Sequence, residues 1–255
     1  MVSEGIKCLL ATVTESIIKY RGRTLTEPHQ TTWMLNDPNV LKWLHNDTTF
    51  LEPSNPIIGY RKNKIRLEEG TYKNGKPKYV ISHVDDETKP IPQYNKGQMK
   101  EQLRLNEAAW QMETLKVKRP DLFSEKNHKQ SSLFGIFGEE LVKEYLILTD
   151  KLKTDNPTKL NGHQLDLEAE GEMIEVKTGS YYTTGTANEK IYGVPFKYAA
   201  VPRLYKKPLH IVCVGGATQE ELVNTSTCPE KEEMKNYWAG KGITYIAFTK
   251  LLSNL

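Results

Sequence analysis

Cysteine is scarce in this chain. Cys8, Cys213 and Cys228 are the only three in 255 residues, far apart, with no C-x-x-C pair and no histidine cluster beside them. This argues against a disulfide framework or a zinc site and fits a reducing, cytoplasmic compartment, where the sequons at Asn46 and Asn224 carry no message. The six histidines show no H-x-H or H-E-x-x-H spacing. Long apolar runs are missing as well: none approaches the roughly 18 residues of a membrane span, so no membrane partner is expected. The N-terminus brings in an acid at Glu4 and has only short apolar runs, unlike a secretory signal. No G-x-x-x-x-G-K-[ST] loop occurs, which leaves an ATP-driven activity and a nucleotide cofactor unsupported. Internal repeats and low-complexity segments are likewise missing.

What is present is the composition of a soluble globular protein, with 38% hydrophobic residues and a mean hydropathy of -0.59. The chain is long enough for one large domain or two modest ones. A net charge of +3 neither demands nor excludes nucleic acid, so the placement of the positive charge matters more than its sum.

The two halves read differently. In the first, "HQTTWMLNDPNVLKWLHND" predicts a short helix after Asp37 and Pro38. Asn74-Gly75 between β-prone runs is the strongest hairpin signal. Residues 85–97 read as loop, and "QMKEQLRLNEAAWQMETLKVKRP" as a helix that stops before Pro120. A linker-like stretch, Ser124 to Ser132, follows. The second half predicts an amphipathic helix with Phe134, Phe137, Leu141 and Tyr145 near one face, then two strands across a tight turn. After a Thr/Tyr/Lys-rich segment come the strand "PLHIVCVGG", a helix near Glu230 to Trp238 and the strand "ITYIAFT". This alternation predicts an α/β layer structure.

The hairpin "GHQLDLEAEGEMIEVKTGS" carries the chemistry. A two-residue turn at Glu170 and Gly171, where glycine takes φ > 0, gives cross-strand partners that sum to 341. Asp166 then faces Glu175, while Glu175 and Lys177 share one side about 7 Å apart. Facing carboxylates destabilise a sheet by roughly 0.2–1 kcal/mol, more when desolvated. A divalent cation offsets this. Hard oxygen donors, Asp166, Glu175 and the Val176 carbonyl, completed by water and phosphate, suit Mg²⁺. Lys177 would then help deprotonate an attacking water or stabilise a phosphate under attack. His163 reads as a polar neighbour of this motif.

Asp166 followed by Glu175-Val176-Lys177 resembles the motif of the PD-(D/E)xK, restriction-endonuclease-like nucleases. Two other E-x-K triplets, at Glu87 and Glu233, lie in an expected loop and an expected helix and lack this context. The resemblance covers roughly residues 131–255. It implies a mixed sheet flanked by helices as a nuclease core over residues 129–255, with residues 1–128 as an α+β extension that grips or reads DNA. It implies Mg²⁺ held by Asp166 and Glu175, Lys177 assisting attack, and a further helical acid after a glycine, Glu139 with Glu140 as the fallback. Leu165 stands where the family name has proline, and a further strand of the family core is not located in the sequence.

Residues 178–208 follow the motif with basic and aromatic side chains and one acid, Glu189, which suits a nucleic-acid strand. Thr178, Asn188, Lys190, Lys197 and Arg203 are the expected DNA contacts. Two basic-aromatic patches, Tyr60 to Arg66 and Tyr72 to Tyr79, read equally well as groove contacts or solvated turns. The expectation is a Mg²⁺-dependent, site-specific endonuclease of double-stranded DNA, like a type II restriction enzyme; the resemblance also implies a homodimer on a palindromic site. The alternatives are a junction-resolvase-like nuclease and a catalytically silent DNA-binding module on the same fold, and RNA stays open as a substrate.

Overall fold

Asp37 caps the helix that the Asp-Pro pair announces: its side chain accepts the Asn39 N–H at 2.8 Å, and Pro38 sits where no N–H is needed. This helix, α1 (Pro38–Leu44), buries Val40, Leu41, Trp43 and Leu44. The computed structural model describes residues 18–20, 23–25, 33–52, 65–71, 77–83, 96–123, 130–182, 191–216 and 229–253. Two short antiparallel pairs precede and follow α1: β1 (Ile18–Tyr20) with β2 (Arg23–Leu25), and β3 (Ile65–Thr71) with β4 (Pro77–His83). Thr71 pairs with Pro77, so a hairpin forms where Asn74-Gly75 announced one; its register is centred on residue 74, and its tip lies outside the described residues. So do residues 85–95 of the expected loop and most of both N-terminal basic patches.

Helix α2 (Lys96–Lys118) starts inside what the sequence suggested was loop and ends before Pro120 as expected. Helix α3 (Gln130–Leu148) also starts early, taking up the end of the linker-like stretch. The main sheet has five strands in the order β5 (Leu152–Thr154), β6 (Leu167–Ala169), β7 (Glu172–Thr178), β8 (Leu209–Val214) and β9 (Ile243–Ala247). Strand β6 pairs antiparallel with both β5 and β7, and β7, β8 and β9 are mutually parallel. Parallel neighbours need crossovers. These contain α4 (Val194–Lys197) and α5 (Val201–Tyr205) between β7 and β8, and α6 (Pro229–Ala239) between β8 and β9. Helix α7 (Phe248–Leu252) closes the chain and begins where the expected last strand still continued.

Both sheet faces are covered. One carries Ile174, Val176, Val212 and Val214 against Phe137, Leu141 and Tyr145 of α3, together with Trp43, Leu115, Phe248 and Leu252. The other carries Met173, Leu209, Ile211 and Cys213 against Val194, Tyr198, Val201 and Trp238. The chain is thus a mixed α/β protein with a five-stranded sheet between helical layers. Residues of α1 and α2 share the first of these clusters with the sheet. Among the described residues, no helix is long and apolar enough to cross a membrane.

Candidate active site

The hairpin has the register derived from its turn. Leu167 pairs with Ile174, Glu168 with Met173 and Ala169 with Glu172, and Gly171 takes φ +82. Asp166 sits one step beyond the ladder, where the Val176 N–H donates to its Oδ2 at 2.7 Å. Glu175 is 3% exposed in a strand otherwise lined by Met173, Ile174 and Val176. Lys177 Nζ donates to Glu175 Oε1 at 2.6 Å and to the Val176 carbonyl at 2.9 Å. The two oxygens assigned to a cation are therefore bridged by an ammonium, while Glu175 Oε2 is buried with no hydrogen-bond partner among the described residues.

The acids feel one another. Burial, and then the charge of Asp166, pushes the Glu175 carboxyl up against the pull of Lys177. Asp166 is also raised by burial, against the charges of Lys177 and Lys197 and the Val176 hydrogen bond. Glu139, on α3, is pushed up to about 7 by burial and by Asp166. It reaches this cluster because α3 presses on the end of β7: a Cβ at Gly138 would collide with Thr178 Oγ1. The neighbouring Glu140 is turned away, ion-paired with Arg119 and 3.8 Å from Lys143. Glu168 shares the hairpin face but is held outside the cluster by Lys153 at 2.7 Å and Lys207 at 2.8 Å.

The expected DNA contacts divide. Lys197 and Arg203 are exposed on α4 and α5, and Lys197 Nζ donates to the Tyr198 hydroxyl at 2.8 Å. Thr178 Oγ1 is enclosed against Gly138 and has no access to a strand on the surface. Asn188 and Lys190 lie outside the described residues.

Two features escaped the sequence. Tyr198 is buried, and its hydroxyl is near enough to Glu175 that burial and the carboxylate both push it up; the hydroxyl also lies within donating distance of the Gln164 carbonyl, at 3.2 Å. The apolar spacing Val194, Tyr198, Val201 was the available signal. The second is Glu107 of α2, fully buried, which accepts from Trp43 Nε1 at 2.7 Å, from Ser180 Oγ and from the Tyr181 N–H at 3.3 Å. Tyr181 and Tyr182 add hydroxyl bonds to the Trp43 carbonyl at 2.9 Å and Thr48 at 2.7 Å. The segment leaving the motif is thereby tied to the first half of the chain, and no local pattern announces a pairing across 73 residues.

Among the described residues, no group of three or more His, Cys, Asp or Glu side chains is gathered as a ready-made metal site. The donors that fit a hard cation are two carboxylates and one carbonyl, with an unpartnered carboxylate oxygen among them. Comparison of the chain with protein-family models, with curated proteins and with solved structures finds no match.

Proposed function

We propose that this chain is a metal-dependent nuclease of the PD-(D/E)xK kind, hydrolysing phosphodiester bonds of double-stranded DNA at specific sites, with its five-stranded sheet as a restriction-endonuclease-like core. The observation that carries this reading is the convergence of Asp166, Glu175, the Val176 carbonyl and Lys177, with Glu175 Oε2 buried and unpartnered. A desolvated carboxylate oxygen without a donor costs about 1–3 kcal/mol or more, which a fold keeps where a ligand meets it.

Asp166, Glu175 and the Val176 carbonyl would hold Mg²⁺. When bound, the ion supplies charge against the scissile phosphate and acidifies a water. The Val176 N–H fixes the orientation of Asp166. Lys177, with its ammonium at the edge of the cluster, stabilises charge on the phosphate or orients the attacking water. Glu139, with its carboxyl near neutrality, is the outer acid suited to hold a proton during the reaction. Lys197 and Arg203, with Asn188 and Lys190, take the DNA backbone. A homodimer would match a palindromic site.

The test is incubation of the purified chain with a long sequenced duplex, in Mg²⁺ and in EDTA. Discrete fragments only with Mg²⁺ support the reading, and their ends give the site. An uncut duplex together with a cut four-way junction moves the function to a structure-selective nuclease.

A further inference from the structure

Phe196 and Tyr237 are large aromatic side chains left in the open, 70% and 60% exposed. Both rings stand edge-on to Trp238, at 5.0 Å and 5.1 Å between centroids, and Trp238 itself is 6% exposed. A buried indole thus holds two exposed rings in fixed positions, one from α4 and one from α6. Lys197 follows Phe196, and Lys241 lies over the Tyr237 ring at 5.7 Å. Arg203 is exposed on α5, whose Pro202 packs against Gly242, next to Lys241: a Cβ at Gly242 would lie 3.3 Å from Pro202. Glu230 and Glu232 sit in the first turn of α6, at the far end from Tyr237, and the exposed Glu233, one turn before Tyr237, borders the face. Lys197 lies between this face and the motif, its Nζ donating to the Tyr198 hydroxyl at 2.8 Å.

We propose that this face of α4 and α6 is a nucleobase-stacking surface: Phe196 and Tyr237 pack on unpaired bases of a nucleic-acid strand, while Lys197, Arg203 and Lys241 meet its phosphates. It deepens the nuclease reading and rests on it for the class of ligand. Exposed rings between cations match a strand's alternation of π-faces and phosphates. In an intact duplex the base faces are covered by stacking, so the surface implies a strand locally opened beside the cut.

The test is fluorescence anisotropy with a labelled single strand and its perfectly paired duplex, using the full chain in EDTA so that nothing is cut. Phe196→Ala and Tyr237→Ala are each expected to weaken single-strand binding about tenfold and duplex binding less. Phe196→Leu, which keeps apolar packing on Trp238 but removes the ring, is expected to weaken it as well. Arg203→Glu should weaken both ligands and flatten their salt dependence. Wild-type binding by all three aromatic variants overturns the proposal, as does a wild-type chain that binds no single strand. A loss of dimer by Phe196→Ala with strand binding unchanged also overturns it and assigns the face to a second copy. Cleavage in Mg²⁺ is scored separately. Binding that depends on the rings without any cutting keeps the surface and removes the nuclease, and cutting with ring-independent binding does the reverse.

Discussion

Lys177 and Glu175 form the contact on which the candidate site turns: the ammonium lies 2.6 Å from Glu175 Oε1, in a strand that also buries Met173, Ile174 and Val176. A two-residue step along β7 puts both on one face, and the Val176 carbonyl at 2.9 Å completes the ammonium's seat. Lys177→Met removes the ammonium bonded to Glu175 Oε1 and the cation that pulls hardest on Asp166 and Glu175. Between the values for exposed and buried pairs, the loss of stability should be about 2 kcal/mol at pH 8. It should be smaller at pH 5 than at pH 8, because the Glu175 carboxyl, raised by burial and by Asp166, is the more protonated at the lower pH. Urea unfolding at the two pH values measures this; equal losses at both would show that the charge pairing is not what stabilises the pair.

Glu139 makes the fold sensitive to pH. Its folded-state carboxyl is pushed up to about 7 from an ordinary value near 4.5, so the folded chain binds the extra proton between those values. Stability contributed by the protonated form is therefore lost as pH rises from about 4.5 through about 7, and is level above that. Glu144, also raised to about 7 by burial, acts in the same window. Glu139→Gln should remove roughly 1–3 kcal/mol of the decline and leave the part due to Glu144. A denaturation midpoint curve from pH 4.5 to 8 that keeps its slope in Glu139→Gln would contradict the assignment. In the same variant cleavage should fall steeply, whereas Glu140→Gln should chiefly cost stability through the lost Arg119 pair.

Glu107 and Ser180 should behave as one unit. Glu107→Ala leaves the Trp43 N–H and the Ser180 hydroxyl without their acceptor, at a cost of about 1–3 kcal/mol, and Ser180→Ala should cost less. Because the side chains share a hydrogen bond, the double variant should fall short of the sum by about 0.5 kcal/mol or more. Additive losses in thermal or urea unfolding would deny the clamp.

Gly138 tests the approach of α3 to β7. Alanine normally favours a helix over glycine by about 1 kcal/mol, yet Gly138→Ala should destabilise by about 1–3 kcal/mol because its methyl meets Thr178 Oγ1. Thr178→Ala should relieve much of that cost. A Gly138→Ala protein as stable as the parent would mean that the helix stands off the strand.

The legible parts of the sequence were those where a local rule fixes the outcome. Gly171 sets the turn, the turn sets the register, and the register brings Asp166 beside β7; Asp37-Pro38 starts α1 in the same way. What stayed hidden depended on distant packing. Strand β5 has only three residues, with an irregular register against β6, so no alternation could reveal it. Glu139 and Glu140 are adjacent acids on one helix, and only the pairing of Arg119 with Glu140 separates them. Thr178 reads as a polar residue beside a motif, but the missing side chain of Gly138, forty residues earlier, encloses it. Glu107 lies among helix formers with nothing to mark its partner Ser180.

The most direct measurement is cleavage of one long duplex DNA by the parent chain and by Asp166→Ala, each with Mg²⁺ and with EDTA. A PD-(D/E)xK nuclease gives discrete fragments with the parent chain in Mg²⁺ alone and intact DNA with Asp166→Ala. Intact DNA with the parent chain in Mg²⁺, or equal cutting by Asp166→Ala, would contradict the role assigned to this site.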